Sequence, residues 1–399
     1  MLSQRALSLK SSPTLALVAK ARDLTLKGHD VISLTVGEPD WPTYPEAAEA
    51  GIQAIQNGFT KYTAAQGTIE LRKAIAQRTQ EDLGLTYSPQ KEITVTSGAK
   101  FSIFTALQVL CDPSDEVIIH SPYWVSYPAM AELAGAKPRI ITCDADVQFK
   151  LTAENLEKNI NDKTKVFLFC SPSNPTGFVY SEKELRALAD VLIKYPRVHI
   201  ISDDMYNRLM FNKVKVAPHL LKVAPELRDR TIVINGGSKA YAMTGWRMGW
   251  AMGPEKIIKA IGDFASQATG APSSIAQKAA EVALLKSEPR IVETNQLLKQ
   301  RLESALVKFK QIPSFHIYIP DGAFYFWIDI KKALGKNYKG AEVNSSARFS
   351  EILLEEFFVA TVPGEEFGHP GYLRLSFAIE SKRFDQAMDR IIDMMSQFS

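Results

Sequence analysis

Several classes of protein are excluded by what this sequence lacks. No run of 18 apolar residues occurs, so nothing in it reads as a membrane-spanning helix. Cysteine is scarce: Cys111, Cys143 and Cys170 lie far apart, odd in number and among apolar residues. They fit reduced core thiols of a cytoplasmic protein and not a disulfide framework. The six histidines are scattered singly and there is no CxxC pair, so no metal is expected. No block of five or six like charges appears, and the formal net charge is only +3. That balance argues against nucleic acid or a membrane surface as partner. The phosphate-binding pattern G-x-x-x-x-G-K-[ST] and a strand-following G-x-G-x-x-G are both missing. The opening residues MLSQRALSLKSS are basic and Ser-rich, as transit peptides are. Helix-periodic sequence follows at once, however, and an ordinary N-terminal arm is expected.

What is present suits a globular protein of two or three domains: 399 residues, 46% hydrophobic and 23% charged. Between about residues 90 and 255, short β-rich runs alternate with longer helical patterns. The runs in EITVTSG, DEVIIHSP, KVFLFCSPSNPTG, VHIISDD and TIVINGGS are nearly continuous in apolar residues. Strands buried on both faces read this way, which predicts an α/β fold with a mostly parallel central sheet covered by helices. GWRMGWAMG reads as one more strand, its glycines permitting close backbone approach. The last hundred residues begin with a long amphipathic helix and continue as strand–helix alternation, the pattern of a smaller α+β domain. The expected division is an arm and part of the small domain at 1–43, a large domain at 44–295, and a C-terminal small domain at 296–399.

A local absence is more informative still. From Thr231 to Pro254 there is no Asp or Glu, and the only charges are Lys239 and Arg247. An isolated Ser-Lys pair would pass for surface, but this one ends a β-run. In open α/β sheets, ligands sit beyond the carboxyl ends of strands and at helix N-termini. The residues closing the β-runs are Gly98, Ala99 and Lys100; Trp124; Asn174; Asp203 and Tyr206; and Ser238, Lys239 and Arg247. Together they supply an amine, a carboxylate, an aromatic face, an amide, hydroxyls and anion-binding groups. Pyridoxal 5'-phosphate requires such a set: an amine for its aldehyde, a carboxylate for its ring nitrogen, and an arginine with backbone N–H groups for its phosphate. A lysine that attacks an aldehyde must be largely neutral, so the missing local carboxylate is in character.

The ordered motifs KSSPTLALVAKARDL, GEPD, KYTAAQGTIELR, SPYWVSYPAM, SPSNPTGFVY, SDDMY, SKAYAMTGWRMGWAMGP, GAFYFWIDI, VPGEEFG and LRLSFA span nearly the whole chain. In this order they resemble the fold-type I, class I aminotransferases, closest to the prokaryotic-type aspartate aminotransferase subgroup. The resemblance implies that Lys239 is the Schiff-base lysine and proton shuttle and that Asp203 partners the ring nitrogen. Asn174 and Tyr206 would meet the ring hydroxyl, with Trp124 over the ring. Gly98, Ala99, Ser238 and Arg247 would hold the phosphate, joined by Tyr62 from a neighbouring subunit of a homodimer with shared sites. Arg374, with the Gly37 backbone, would bind the substrate α-carboxylate. Lys100 would meet the side-chain carboxylate of a dicarboxylic substrate, and Thr14 would border the pocket. The family usually has Asp-Glu where this chain has Asp203-Asp204, so the first carboxylate is taken as the ring partner and Asp204 as solvated or structural. Some relatives carry a hydroxyl three residues before the lysine, where this chain has Gly236.

The implied reaction is ping-pong transfer from L-aspartate to 2-oxoglutarate. Its rivals are an aromatic, prephenate-type or kynurenine aminotransferase and a lyase on the same scaffold. A pyridoxal-binding regulator is disfavoured, since such proteins carry a DNA-binding module in front and the aminotransferase-like sequence starts almost at residue 1.

Overall fold

The computed structural model describes residues 2–3, 6–7, 13–212 and 214–399, with side chains described for all of these except 13–16. Its centre is a seven-stranded sheet in the order Ile93–Thr96, Gly249–Met252, Thr231–Gly236, His199–Asp203, Thr164–Cys170, Glu116–Ser121, Lys137–Thr142. Only Gly249–Met252 runs antiparallel, against both of its neighbours. The other neighbouring pairs are parallel.

Burial follows the apolar runs. Every residue of Ile93–Thr96, Glu116–Ser121 and Gly249–Met252 is buried. The edge strand Lys137–Thr142 is mostly accessible, and its sequence KPRIIT carries the proline and cations that keep an edge from pairing further. Covering helices are set by local signals. Ser181 and Glu184 form a reciprocal capping box at the start of Glu182–Ile193. Thr68 caps Ile69–Leu83, which Gly84 ends in the left-handed conformation at φ 70°.

The segment expected as a single strand, GWRMGWAMG, divides in two. Only Gly249–Met252 joins the sheet, while Trp246 to Met248 lie in a turn with Arg247 at φ 55°. Gly249 has to be glycine, because a Cβ there would overlap the backbone nitrogen of Ala99. This contact brings the turn carrying Arg247 against the start of helix Ala99–Leu110.

A second, antiparallel sheet has the order Val362–Pro363, Tyr372–Ser376, Tyr325–Asp329, His316–Tyr318. Strand Ile32–Ser33 pairs in parallel with Val359–Ala360, so the early segment DVISLTVGEPD joins C-terminal sequence. Helix Glu288–Phe309 runs unbroken for 22 residues between the two regions, and position 295/296 falls inside it. No helix among the described residues is long and apolar enough to cross a membrane.

Candidate active site

The loops after five strands of the large sheet meet segment 35–38 and strand Tyr372–Ser376 around one cavity of about 490 Å³. Its wall includes Gly37, Ala99, Lys100, Trp124, Asn174, Asp203, Tyr206, Ser238, Lys239, Arg247 and Arg374. Residues up to 356 positions apart in sequence are thus brought to one surface (Val18 to Arg374). Gly98 stands just behind, against Arg247. Tyr62 is not on the wall and is fully exposed. The side chain of Thr14 lies outside the described residues, but Val18, four residues further along helix Pro13–Leu26, lines the cavity.

Asp203 ends its strand buried, with a carboxylate oxygen accepting from Tyr127 Oη at 2.6 Å and the other from the Met205 N–H at 3.1 Å. Burial raises its pKa to about 6 against the lowering effect of these two bonds. At pH 7 it is still ionised by roughly ten to one. Asp204 points away from the cavity, accepting from Ser202 Oγ at 2.6 Å and facing His219 Nε2 at 3.2 Å. It is buried, so of the two expectations for it, solvated or structural, the second describes its place.

The Lys239 amine donates to the carbonyl of Gly37. Burial, with help from Arg374 and Arg247, lowers its pKa from 10.5 to about 8. The acid-free stretch of sequence is not the whole account, because Glu38 and Asp203 approach from elsewhere in the chain and act in the opposite direction. Desolvation prevails. Glu38 is in turn held by the hydroxyl of Thr244.

Arg374 is buried and without an ion pair among the described residues. It donates to Asn174 Oδ1 at 3.0 Å and to the Thr35 carbonyl, and its guanidinium lies 4.5 Å from the Tyr325 ring centroid. Its Nε is buried with no acceptor among the described residues. Such a cation is prepared for an anion the free protein does not supply. Lys100, exposed at the cavity mouth, lies 4.9 Å over the Trp124 ring, and burial of its surroundings lowers its pKa.

At the opposite wall, Gly98 has φ 91°, and a Cβ there would come within 2.6 Å of Arg247 Nη2. The guanidinium therefore lies against the N-terminus of helix Ala99–Leu110, which has no side-chain cap. Gly236 is equally constrained: a Cβ would come within 2.7 Å of the Met248 carbonyl, so no hydroxyl side chain fits there.

Sequence reasoning missed Tyr127 and Tyr325. Tyr127 sits three residues beyond Trp124, one helical turn, which was a usable signal. Tyr325 shares a hydrogen bond of 2.8 Å with Tyr206, 119 residues away, and no local pattern marks that.

A mixed but mainly parallel sheet with a lysine, an aspartate and two arginines converging beyond its strand ends defines an α/β enzyme of fold-type I. The aminotransferase class I and II family matches residues 29–391. The chain is 43% identical to the aspartate/prephenate aminotransferase of Nitrosomonas europaea, over 99% of this chain and 100% of that one. It is 42% identical to the aspartate aminotransferase of Geobacillus stearothermophilus, over 98% of each. Among solved structures, the aspartate aminotransferase from Rhizobium meliloti superposes with a TM-score of 0.96 at 39% identity, covering 100% of both chains. The Thermus thermophilus aspartate aminotransferase with maleate gives 0.91 at 34% identity, covering 99% of both. The chain belongs to the class I and II aminotransferases, and it is an aminotransferase.

Proposed function

We propose that this aminotransferase uses pyridoxal 5'-phosphate to move the amino group of L-aspartate to 2-oxoglutarate, giving oxaloacetate and L-glutamate in a ping-pong sequence. The observation that carries the reading is the charge of one cavity. Lys100, Lys239, Arg247 and Arg374 all face it, and none makes an ion pair within 4 Å among the described residues. That arrangement suits a phosphate at one wall and a dicarboxylate at the other.

The residues present fit the cofactor. A buried carboxylate, an amine lowered to about 8 and a glycine-backed arginine at an uncapped helix start are its three requirements. When bound, pyridoxal phosphate supplies an aldehyde for the amino group and a ring that draws charge from the substrate α-carbon. Lys239 would hold that aldehyde and would take and return a proton at the α-carbon, which its lowered pKa allows near neutral pH. Asp203 keeps the ring nitrogen protonated, and Tyr127 orients Asp203. Asn174 and Tyr206 would meet the ring hydroxyl, and Trp124 would lie over the ring. Gly98, Ala99, Ser238 and Arg247 hold the phosphate. Arg374 grips the α-carboxylate with Gly37 beside it, Lys100 takes the distal carboxylate, and Thr14 borders the pocket. The working unit is a homodimer in which Tyr62 reaches the phosphate of the second copy, a role its full exposure in the single chain supports. The division at 1–43, 44–295 and 296–399 is retained as the functional partition, with helix Glu288–Phe309 as the connection between its last two parts. Three buried free thiols suit a cytoplasmic location.

A second reading is favoured by one relative's name, aspartate/prephenate aminotransferase. Prephenate also carries two carboxylates, so the same cations would serve it. The test is the absorbance spectrum of the yellow holoenzyme on adding L-aspartate with no oxo acid. Loss of the yellow band, and its return with 2-oxoglutarate, is the expected result. Return with prephenate as well would add the second substrate. An unchanged spectrum with aspartate, together with conversion by another amino acid, would overturn the substrate assignment. Failure of Lys239→Ala to abolish transfer would overturn the site.

A further inference from the structure

The three residues that follow Lys239 are each held by a side chain from a distant segment. The Ala240 carbonyl accepts from Tyr44 Oη at 3.2 Å, and the Ala242 carbonyl from Thr43 Oγ1 at 2.7 Å. Between them, Tyr241 Oη accepts from Arg208 Nη1 at 3.1 Å. The first two bonds engage backbone. The third joins two side chains, and its donor lies in the segment that carries Asp203 and Tyr206. Lys239 faces the cavity, whereas Tyr241, two residues on, is buried away from it.

Arg208 is itself anchored on several sides. It is buried, paired with Glu288 and 3.4 Å from Asp82 Oδ2, and its carbonyl accepts from Asn295 Nδ2 at 2.8 Å. Asp82 belongs to helix Ile69–Leu83, and Glu288 opens helix Glu288–Phe309. A cation anchored to two long helices therefore pins the loop of the reacting amine to the segment of the ring-binding carboxylate. Neither Arg208 nor Tyr241 touches the cavity, and nothing in the chemistry described above employs them.

We infer that Arg208, acting through Tyr241, is a positioning residue that fixes Lys239 relative to Asp203. This rests on reading Lys239 as the reacting amine. The physical requirement is positional: a displacement of about 1 Å at a reacting group costs on the order of a hundredfold in rate. Turn 237–243 is tied to the sheet by backbone only at its start among the described residues, where the Gly237 N–H donates to the Met248 carbonyl at 3.0 Å, so side-chain anchors set the position of the residues after Lys239.

Tyr241→Phe removes only the hydroxyl and leaves the Arg208–Asp82–Glu288 cluster whole. Arg208→Gln removes the donor, but it strands two carboxylates and risks misfolding, so Tyr241→Phe decides if that variant fails to fold. With both folded, each is expected to lower kcat about tenfold with KM within about twofold, and the double variant is no worse than the poorer single. The pH midpoint of the holoenzyme's cofactor absorption band is expected to move in both, since it reports the environment of the Lys239 nitrogen. A merely structural role would lower the melting temperature and leave that midpoint and kcat in place. Wild-type kcat and midpoint in folded Tyr241→Phe would overturn the inference, as would losses that multiply in the double variant. Lys239→Ala separates the two levels. If it retains transfer, the site reading itself falls; if it is inactive while Tyr241→Phe is normal, only the positioning role falls.

Discussion

Replacing Arg374 by methionine sets stability against activity. In the free protein this guanidinium is buried, its Nε has no acceptor among the described residues, and burial lowers its pKa. Its compensation is limited to bonds to Asn174 and the Thr35 carbonyl and to the Tyr325 and Phe367 rings at 4.5 and 5.1 Å. Each hydrogen bond from the charged guanidinium is worth about 1.5 to 3 kcal/mol net, and each cation–ring contact about 1 to 2 kcal/mol. The cost of an unpaired buried charge is several kcal/mol. The terms nearly cancel, so Arg374→Met is expected to melt within a few degrees of wild type or above it. With substrate the balance reverses. Losing one partner of a buried, hydrogen-bonded charge pair costs about 2 to 5 kcal/mol, which corresponds to roughly 30- to 4,000-fold in kcat/KM at about 1.4 kcal/mol per decade. Arg374→Lys keeps the charge but not the fork, and should recover about tenfold over methionine. Thermal unfolding and steady-state kinetics with L-aspartate measure both quantities. A variant that melts more than about 5 °C lower while keeping kcat/KM within threefold would refute the argument, and Arg374 would then be a structural cation.

Three further substitutions probe the rest of the cavity. Tyr127→Phe removes a bond that lowers the Asp203 pKa, so that pKa should rise above about 6. Because the ionised form is the working one, the acid limb of the kcat/KM profile should move to higher pH; an unmoved limb would separate Tyr127 from Asp203. Gly98→Ala places a methyl within 2.6 Å of Arg247 Nη2 at a φ of 91°. Cofactor affinity should drop at least tenfold by equilibrium titration, and an unchanged affinity would take Arg247 out of the phosphate site. Lys100→Ala should raise KM for L-aspartate about tenfold while leaving a monocarboxylic donor such as L-alanine unaffected. Equal effects on both donors would show that Lys100 does not choose the acid.

Much of the fold was legible because its signals are local. Unbroken apolar runs mark strands buried on both faces, and Ser181 with Glu184 or Thr68 with Gly84 mark helix ends within a few residues. The antiparallel course of Gly249–Met252 was not legible, since direction depends on how the chain returns and not on composition. Nor was the break within GWRMGWAMG, where contact with Ala99 across the fold decides which glycine lies in the strand.

The site divides along the same line. By itself, the sequence determined which chemical groups lie at or near the strand ends: the amine of Lys239, the carboxylate of Asp203, the amide of Asn174 and the fork of Arg247. Tertiary structure alone decided their working states. It turned Asp203 into the cavity and Asp204 towards His219, joined Tyr127 to Asp203 and Tyr206 to Tyr325, and left Arg374 buried without a counter-ion among the described residues. It also lowered the Lys239 pKa to about 8 although Glu38 and Asp203 oppose that shift. Identity and spacing are properties of neighbours along the chain, whereas desolvation and field are sums over everything packed nearby, most of it distant in sequence.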